Sequence, residues 1–127
     1  MVCPRTLVGQ RSYGEQGRPW GQVPVAVIAQ TRSGSGSSLS VSTQIHYLYA
    51  DHLDTPRVIV RASDHAVIWR WDTVEAYGNA PPNSSPTGLA PFTYNPRFPG
   101  QIHDPETQLS YNLHRSYRPV LGAVYTE

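Results

Sequence analysis

Residues 57–71, with the sequence RVIVRASDHAVIWRW, contain the strongest secondary-structure signal in the chain. Two runs rich in valine, isoleucine and tryptophan flank a short polar stretch at residues 62–65. In the second run, Val67, Trp69 and Trp71 fall on one face of an extended segment. Apolar residues at every second position favour a half-buried strand, and two such strands around a short polar turn form a β-hairpin. We therefore predict an all-β, antiparallel fold.

The segments before this hairpin also carry strand signals. Residues 45–50 (IHYLYA) alternate and are rich in aromatic side chains, and residues 22–30 (QVPVAVIAQ) begin with valine at every second position. Pro24 cannot donate a backbone hydrogen bond, which favours a strand at the edge of a sheet. Composition predicts a disordered or frayed N-terminus over residues 1–21, an edge strand over 22–32, a Ser- and Gly-rich linker over 33–44, and one structured region over 45–127.

An internal repeat follows the hairpin. Residues 102–111 (IHDPETQLSY) and 116–125 (SYRPVLGAVY) align at an offset of fourteen, and Pro105 then matches Pro119. Each copy is predicted to form a strand, a turn that begins with proline, and a second strand, because proline suits the second position of a tight turn. Residues 79–91, between the hairpin and the repeat, contain four prolines and are predicted to be a loop. Short repeats bury an apolar face only by stacking on neighbours.

Length and composition limit the possible functions. A chain of 127 residues allows one domain or part of a larger one. Twelve prolines and ten glycines, spread along the chain, disfavour long helices. The formal net charge is +1, and the ten basic side chains are scattered arginines without the basic cluster that nucleic-acid binding needs. We therefore expect no nucleic-acid partner.

The N-terminal region shows no targeting signal. Residues 1–22 lack the continuous apolar stretch of a signal peptide, and no apolar run is long enough to span a membrane. Cys3 is the single cysteine, which excludes an internal disulfide or a cysteine-based zinc site. The localisation is therefore unknown from the sequence, and both the cytoplasm and leaderless export as part of a larger protein are open.

Five short motifs together resemble the core region of Rhs (rearrangement hotspot, YD-repeat) proteins. They occur in the family's order and near its spacing, and they cover residues 45–127: YADHLDTPR at 49–57, WRWD at 69–72, EAYG at 75–78, RFPGQ at 97–101 and DPETQL at 104–109. The pairing of an HLxTPR segment with RFPGQ is specific to this family. Residues 22–30 also fit the strand that usually precedes the core region.

The resemblance implies a fold and a role. Rhs proteins build a hollow β-shell from YD repeats, and the core region closes the shell just before a variable C-terminal toxin. Members are secreted and delivered to competitor or host cells. The resemblance therefore implies a structural, non-catalytic shell segment, with the remaining Rhs shell, a toxin or an immunity protein as partner. The family's YDPxxGRF motif is altered here at Arg118 and Ala123, and its DPxG cleavage motif would begin where the chain ends at Glu127. We therefore expect a truncated protein without cleavage motif or toxin.

Three turns depart from the family pattern in one direction. Where Rhs core regions favour glycine or asparagine, this chain has Asp54, His65 and Gln108. Glycine is favoured where φ is positive, since it has no Cβ to clash with the backbone. We therefore predict positive φ at these three positions.

Two acidic clusters carry an apparent chemical signal. Asp51, His52 and Asp54 place two carboxylates and an imidazole within four residues, as an acid–base or metal site would require. A turn explains them better, because aspartate often accepts backbone hydrogen bonds in turns.

The second cluster consists of His103, Asp104 and Glu106, and the Asp-Pro-Glu-Thr run around it is also typical of a turn. No G-x-S-x-G nucleophile elbow is present. We therefore expect no enzyme activity, no catalytic or metal-binding residue, and no cofactor.

Four aromatic residues offer an alternative function. Tyr47, Tyr49, Trp69 and Trp71 are the residues that would form a stacking platform for a sugar. Their spacing beside aliphatic residues at strand period favours packing within a sheet. The alternative to the shell segment is an independent module that binds a carbohydrate on a cell surface.

Overall fold

The computed structural model describes the backbone of residues 5–12, 22–34, 36–72 and 75–126, and the side chains from residue 25 onward within these ranges. The described residues form two antiparallel β-sheets and two short 3₁₀ turns, without an α-helix. The all-β prediction is confirmed. The first sheet contains, in spatial order, β1 (Arg5–Ser12), β2 (Gln22–Ser33), β3 (Ser40–Ala50), β4 (Pro56–Arg61) and β5 (Val67–Arg70), and the second contains β6 (Ile102–Asp104), β7 (Leu109–Tyr111), β8 (Arg115–Arg118) and β9 (Ala123–Thr126).

The first sheet is a meander in which each strand pairs with the next. The predicted hairpin is confirmed as β4 and β5, and its turn is closed by the backbone N–H of His65, which donates to the Arg61 carbonyl over 2.8 Å. Leu48, Ile59 and Trp69 lie opposite one another on three neighbouring strands. Because aligned residues share a face, these three side chains form the centre of the buried face.

The N-terminal part of this sheet differs from the sequence prediction. β2 is an inner strand with partners on both sides, and the edge is β1, which lies within the segment predicted to be frayed. Pro24 lies beside a register shift of the β1 pairing and before Ala26, where pairing with β3 begins, and irregular positions of this kind tolerate proline. Residues 1–4 and 13–21 lie outside the described residues.

The predicted linker is shorter than expected. β2 continues to Ser33 and β3 begins at Ser40, so only residues 34–39 connect them. Gly34 and Gly36 both have positive φ in this connection. The serines and threonines of residues 40–44 suggested a flexible tract, but their cross-strand partners on β2 hold them in the ladder.

The core lies on one face of the first sheet. Its buried members are Val27, Leu48, Ile59, Ile68, Trp69, Trp71 and Tyr94. The connection between the two sheets covers this face: the Tyr94 ring packs edge-on against Trp69 at 5.2 Å between centroids, and Phe98 packs against Trp71 at 5.3 Å. The chain that follows β5 thereby completes the core of the sheet that precedes it.

The second sheet consists of two hairpins and confirms the internal repeat. β6 and β7 enclose a turn that begins at Pro105, and β8 and β9 enclose a 3₁₀ turn that begins at Pro119. Each turn ends on a residue with positive φ, which is Gln108 (59°) in the first copy and Gly122 (57°) in the second. The two copies therefore share a backbone path, and the second uses glycine where the first uses glutamine.

The prediction of positive φ is confirmed at all three turn positions. The values are 61° at Asp54, 58° at His65 and 59° at Gln108. Two further residues, Leu113 and His114, also have positive φ and were not predicted. They are the two central residues of a tight turn between β7 and β8 that is closed by backbone hydrogen bonds between Asn112 and Arg115, the kind of turn in which both central residues have positive φ. The signal for such a turn is Asn-Gly or Asp-Gly, which is absent here.

Replacing Gln108 by glycine is expected to raise the free energy of unfolding by about 0.5–1 kcal/mol, because the clash of Cβ with the backbone is removed. The gain is reduced by loss of the exposed bond from the Gln108 side-chain amide to the Pro105 carbonyl. His65→Gly should stabilise less, and Asp54→Gly should change little, because aspartate tolerates this conformation best of the three. Denaturant midpoints of the three variants test this order. A lower midpoint for Gln108→Gly would contradict it.

Candidate functional site

The first predicted cluster is a turn built on Asp51. One carboxylate oxygen of Asp51 accepts hydrogen bonds from the backbone N–H groups of Leu53 (2.9 Å) and Thr55 (3.1 Å). The other oxygen accepts from Arg57 Nε at 2.8 Å, within an ion pair. His52 is exposed and Asp54 occupies the positive-φ position of the turn. Asp51 thus holds the loop between β3 and β4, as expected, whereas the backbone hydrogen bonds expected of the Asp54 carboxylate are not found among the described residues.

The electrostatics of Asp51 agree with this role. Burial raises the pKa of its carboxyl group, but the hydrogen bonds from Thr55, Arg57 and Leu53 outweigh burial and leave the pKa below its usual value. A carboxylate held in this way is a poor general base, since it is stabilised in the charged form.

The second predicted cluster is also a turn. Asp104 accepts hydrogen bonds from the Glu106 backbone N–H (3.0 Å) and the Thr107 hydroxyl (2.7 Å). His103 lies elsewhere, in a cleft beside Arg97 that is described below. Within the part of the chain that the structure describes, no group of three or more histidine, cysteine, aspartate or glutamate side chains is placed to hold a metal ion.

Replacing both clusters together is expected to abolish no intrinsic activity, because their carboxylates act within turns. The variant replaces Asp51, His52, Asp54, His103 and Asp104 in one chain. Hydrolase and nuclease assays on the purified wild-type and variant proteins test this expectation. Any hydrolytic activity that the wild type has and the variant lacks would contradict it.

The four aromatic residues of the predicted platform do not lie together. Trp69 and Trp71 are each 1% exposed on the core side, whereas Tyr47 and Tyr49 are 46% and 57% exposed. The register places Tyr49 opposite Val58 and Arg70, and so on the face away from Trp69. Packing in the sheet therefore accounts for the tryptophans, and only the two tyrosines are available to solvent.

The structure shows a different candidate site, a cleft of about 560 Å³ between the end of β5 and the second sheet. We call it the inter-sheet cleft. Its walls come from the loop after β5, the segment before β6, and the turns of both repeat hairpins. The lining residues are Trp71, Tyr77, Gly78, Asn79, Ala80, Pro81, Pro82, Asn95, Arg97, Phe98, Gln101, His103, Pro105, Thr107, Gln108, Ser110, Tyr117, Arg118, Pro119 and Val120.

One wall of the cleft is a loop organised by Glu75. Its carboxylate accepts hydrogen bonds from the backbone N–H groups of Tyr77 (2.7 Å), Asn79 (2.5 Å) and Ala80 (3.1 Å). These bonds, with that of Ala80 the largest influence, hold the pKa of Glu75 below its usual value. The loop is tied to the core by Trp71, whose indole N–H donates to the Ala80 carbonyl over 2.8 Å.

The same loop is joined to the second sheet. The Tyr117 hydroxyl of β8 donates to the Tyr77 carbonyl over 2.7 Å, and the Tyr77 ring lies against Gly122. A Cβ at Gly122 would come within 2.8 Å of that ring, so glycine is needed there for packing as well as for its positive φ. Burial, and then the nearby Glu75, raise the pKa of Tyr117.

Arg97 is the charged residue at the base of the cleft, and only 9% of it is exposed. Its Nη1 donates to the carbonyls of Tyr94 (2.7 Å) and Pro96 (3.1 Å). The guanidinium carbon lies 5.5 Å from the Trp71 ring centroid and 6.0 Å from that of Trp69, in cation–π contact. Burial lowers the pKa of Arg97 to about 10, so the group remains a cation at neutral pH.

Burial and the charge of Arg97 shift the pKa values of two neighbouring residues, Tyr94 and His103. Burial raises the pKa of Tyr94 well above its usual range, and its hydroxyl has no hydrogen-bond partner among the described residues. Burial and then the charge of Arg97 lower the pKa of His103, against the smaller opposing effect of Asp104. A lowered pKa favours the neutral form of His103 at physiological pH.

Arg97 and Glu75 lie within the RFPGQ and EAYG motifs, but neither residue was predicted to have a role of its own. The signal for Arg97 was a lone arginine within a run of aromatic and proline residues, FTYNPRF at 92–98. Such an arginine packs on aromatic faces more readily than lysine does. Its burial depends on Trp69 and Trp71, which are distant in sequence, and no local pattern reports that contact.

Among the described residues, none of the helical segments has the length and apolar character to cross a membrane. No protein family model matches the chain.

Comparison with curated proteins finds distant relatives. The chain is 28% identical over 113 residues to the uncharacterized protein YibJ of Escherichia coli strain K12, an alignment that covers 89% of this chain and 46% of YibJ. It is 29% identical over 119 residues to the toxin protein Tse5 of Pseudomonas aeruginosa strain PAO1, with 94% of this chain and 8% of Tse5 covered. The chain thus spans about half of one relative and under a tenth of the other, and it is distantly similar to part of a much larger toxin protein.

Proposed function

We propose that this chain is a structural, non-catalytic segment of the β-shell of an Rhs toxin system, from the C-terminal end of that shell. The five sequence motifs support an Rhs relation, and the similarity to a toxin protein supports a toxin-associated setting. The all-β meander and paired hairpins are the kind of structure from which YD repeats build a shell. The turn-forming roles of Asp51 and Asp104 favour a structural function over a catalytic one.

The observation that carries the proposal is an apolar face on the side of the first sheet away from the core. Alternate residues of β3 point to this side, and four of them are large, apolar and about half exposed: Val41, Ile45, Tyr47 and Tyr49. Thr43 interrupts this stripe between Val41 and Ile45. A large exposed apolar patch marks a surface that another element covers. In a complete shell, that element is the next part of the shell or the contents of its cavity.

The second sheet shows the same feature. Ile102, Tyr111 and Tyr125 share one face, because they lie in register across the strands, and they are 56%, 47% and 44% exposed. Within the described residues, β1 leaves one edge of the first sheet open and β9 leaves one edge of the second open, whereas Arg70 of β5 exchanges backbone hydrogen bonds with Asn83. Open edges pair with further strands, which a larger repeat assembly supplies.

The chain purified alone is expected to self-associate and not to behave as a well-folded monomer, because these faces and edges are uncovered. Sedimentation velocity at several protein concentrations measures this directly. The double variant Tyr47→Lys/Tyr49→Lys should shift the distribution toward the monomer, since it places charge on the exposed stripe without touching the core. A monomer at every concentration, with a cooperative thermal transition, would contradict the proposal.

An independent glycan-binding module is the second candidate, and it has less support. Two of its four predicted stacking residues, Trp69 and Trp71, are in the core, which leaves Tyr47 and Tyr49. Glycan-array binding by the isolated chain that Tyr47→Ala and Tyr49→Ala abolish would favour this candidate over the shell segment.

A further inference from the structure

The charged side chains that line the inter-sheet cleft are all basic. Its described lining contains two arginines, Arg97 and Arg118, and His103, but no aspartate or glutamate. The nearest carboxylates, those of Glu75 and Asp104, accept hydrogen bonds from the turns that hold them. Both carboxylates are therefore engaged by groups of their own turns, and the charged side chains among the lining residues are basic, which favours an anion.

Arg97 lacks a counter-charge in the structure. The ion pairs among the described residues join Arg57 to Asp51, Arg61 to Asp64 and Arg70 to Asp72, and none involves Arg97. Both hydrogen bonds of Arg97 leave from Nη1, and among the described residues the other edge of the guanidinium fork has no acceptor. Burying a guanidinium without a carboxylate costs stability, which cation–π contacts offset only in part.

The walls of the cleft suit a peptide. Tyr77, Tyr117, Pro82 and Pro119 provide apolar surface. Asn79 and Gln101 are among the side-chain amides that line the cleft, and amides match the donor and acceptor pattern of a peptide backbone. The volume of about 560 Å³ lies within the range of sites that enclose a ligand.

We infer that the inter-sheet cleft binds an extended polypeptide segment of a partner and pairs a carboxylate side chain of that segment with Arg97. The free edge of the guanidinium fork offers the carboxylate a charge-assisted hydrogen bond, with Arg118 adding positive charge at the exposed rim. The aromatic and proline walls pack on the segment, and the amides bond its backbone. This inference stands on the cleft alone and does not depend on the Rhs assignment.

The test uses the full chain, tethered at low density through its N-terminus so that copies do not associate. Two pools of blocked hexapeptides flow over it, one with a fixed central glutamate and the other with a fixed central glutamine. The glutamate pool should bind about tenfold more tightly, which is the scale of a charge-assisted hydrogen bond in place of a neutral one. Its binding should weaken as salt is raised.

Three variants test whether the peptides bind in the inter-sheet cleft. Arg118→Gln and Arg97→Lys should each weaken binding of the glutamate pool several-fold and narrow the gap between the two pools. Arg115→Gln is the matched control, because Arg115 lies on the same strand as Arg118 but does not line the cleft, and it should bind as the wild type does. Arg118 is exposed, so its variant keeps the test valid if Arg97→Lys fails to fold.

Three outcomes would overturn the inference. The first is equal binding of the glutamate and glutamine pools, and the second is binding that Arg118→Gln and Arg115→Gln weaken alike. The third is a site for a small anion, shown if acetate or inorganic phosphate alone binds as tightly as the glutamate pool.

Discussion

Replacing Trp71 by alanine is expected to lower the free energy of unfolding by about 3–5 kcal/mol, the range for removing a buried aromatic side chain. Trp71 is 1% exposed and lies where the first sheet meets the loops before the second. Its ring contacts Phe98 and lies beneath the guanidinium groups of Arg57 and Arg97, and its indole N–H bonds the Ala80 carbonyl. The substitution therefore removes core packing, two cation–π contacts and one hydrogen bond.

Denaturant unfolding followed by far-ultraviolet circular dichroism measures this loss, at protein concentrations below those at which the chain associates. Trp71→Phe separates the contributions, because it keeps most of the ring and loses the bond to Ala80, at a cost of about 1–2 kcal/mol. Tyr49→Ala is the control, since Tyr49 is exposed on a strand of the same sheet and should change stability by no more than about 0.5 kcal/mol. Equal losses for Trp71→Ala and Tyr49→Ala would contradict the position of the core.

Replacing Asp51 by alanine is expected to cost about 2–3 kcal/mol, because two backbone N–H groups and the Arg57 side chain lose an ionised acceptor together. The side chain is 20% exposed, so solvent only partly replaces these bonds. Asp54→Ala is the matched control on the same loop, which lacks this set of bonds. A smaller loss of unfolding free energy for Asp51→Ala than for Asp54→Ala would show that the Asp51 carboxylate does not hold the loop.

Asp51 is also expected to make the free energy of unfolding depend on pH. The pKa of Asp51 is lower in the folded chain than the usual value of 3.8, so the unfolded chain binds the proton more readily. The stabilisation that the Asp51 carboxylate provides is therefore fully present above the usual pKa of 3.8, and it is lost as the pH falls through the pKa of Asp51 in the folded chain. The difference in unfolding free energy between wild type and Asp51→Asn should shrink below about pH 4. A difference that grows toward acid pH would contradict the sign.

Much of the fold could be predicted from local sequence. The two apolar runs around the polar turn predicted the β4–β5 hairpin, but not its register: a shift places Val67 opposite Val60, on the face away from Trp69, and Ile68 is buried in the core. The match of Pro105 with Pro119 predicted the two hairpins of the second sheet. These signals are local, because a strand's period and a turn's first residue are set by neighbours in sequence. Even the positive φ of Gln108 followed from a comparison of turn positions.

The pairing of strands that are distant in sequence could be predicted less well. The position of β2 inside the sheet depends on β1 and on a register shift beside Pro24, and proline alone favoured an edge. The Leu113–His114 turn was missed because tertiary pairing of β7 with β8 holds two residues that rarely adopt positive φ.

The candidate site was predicted only in part. The turn role of Asp51 and Asp104 follows from aspartate chemistry, and the structure places both as expected. The inter-sheet cleft could not be predicted, since it exists only where the loop after β5 meets the repeat hairpins. Arg97 becomes distinctive through its contacts with Trp69 and Trp71, which the sequence does not report.

The central claim is that this chain completes a larger β-shell, and a chimera tests it most directly. The chain replaces the aligned region of Tse5, and limited proteolysis compares this segment in the chimera with the chain alone. We expect the chimera to be a soluble particle in which the β3 stripe and the edge strands are protected, while the isolated chain associates and is cleaved. A chimera that aggregates or exposes the segment to cleavage, beside an isolated chain that is monomeric and protease-resistant, would contradict the account.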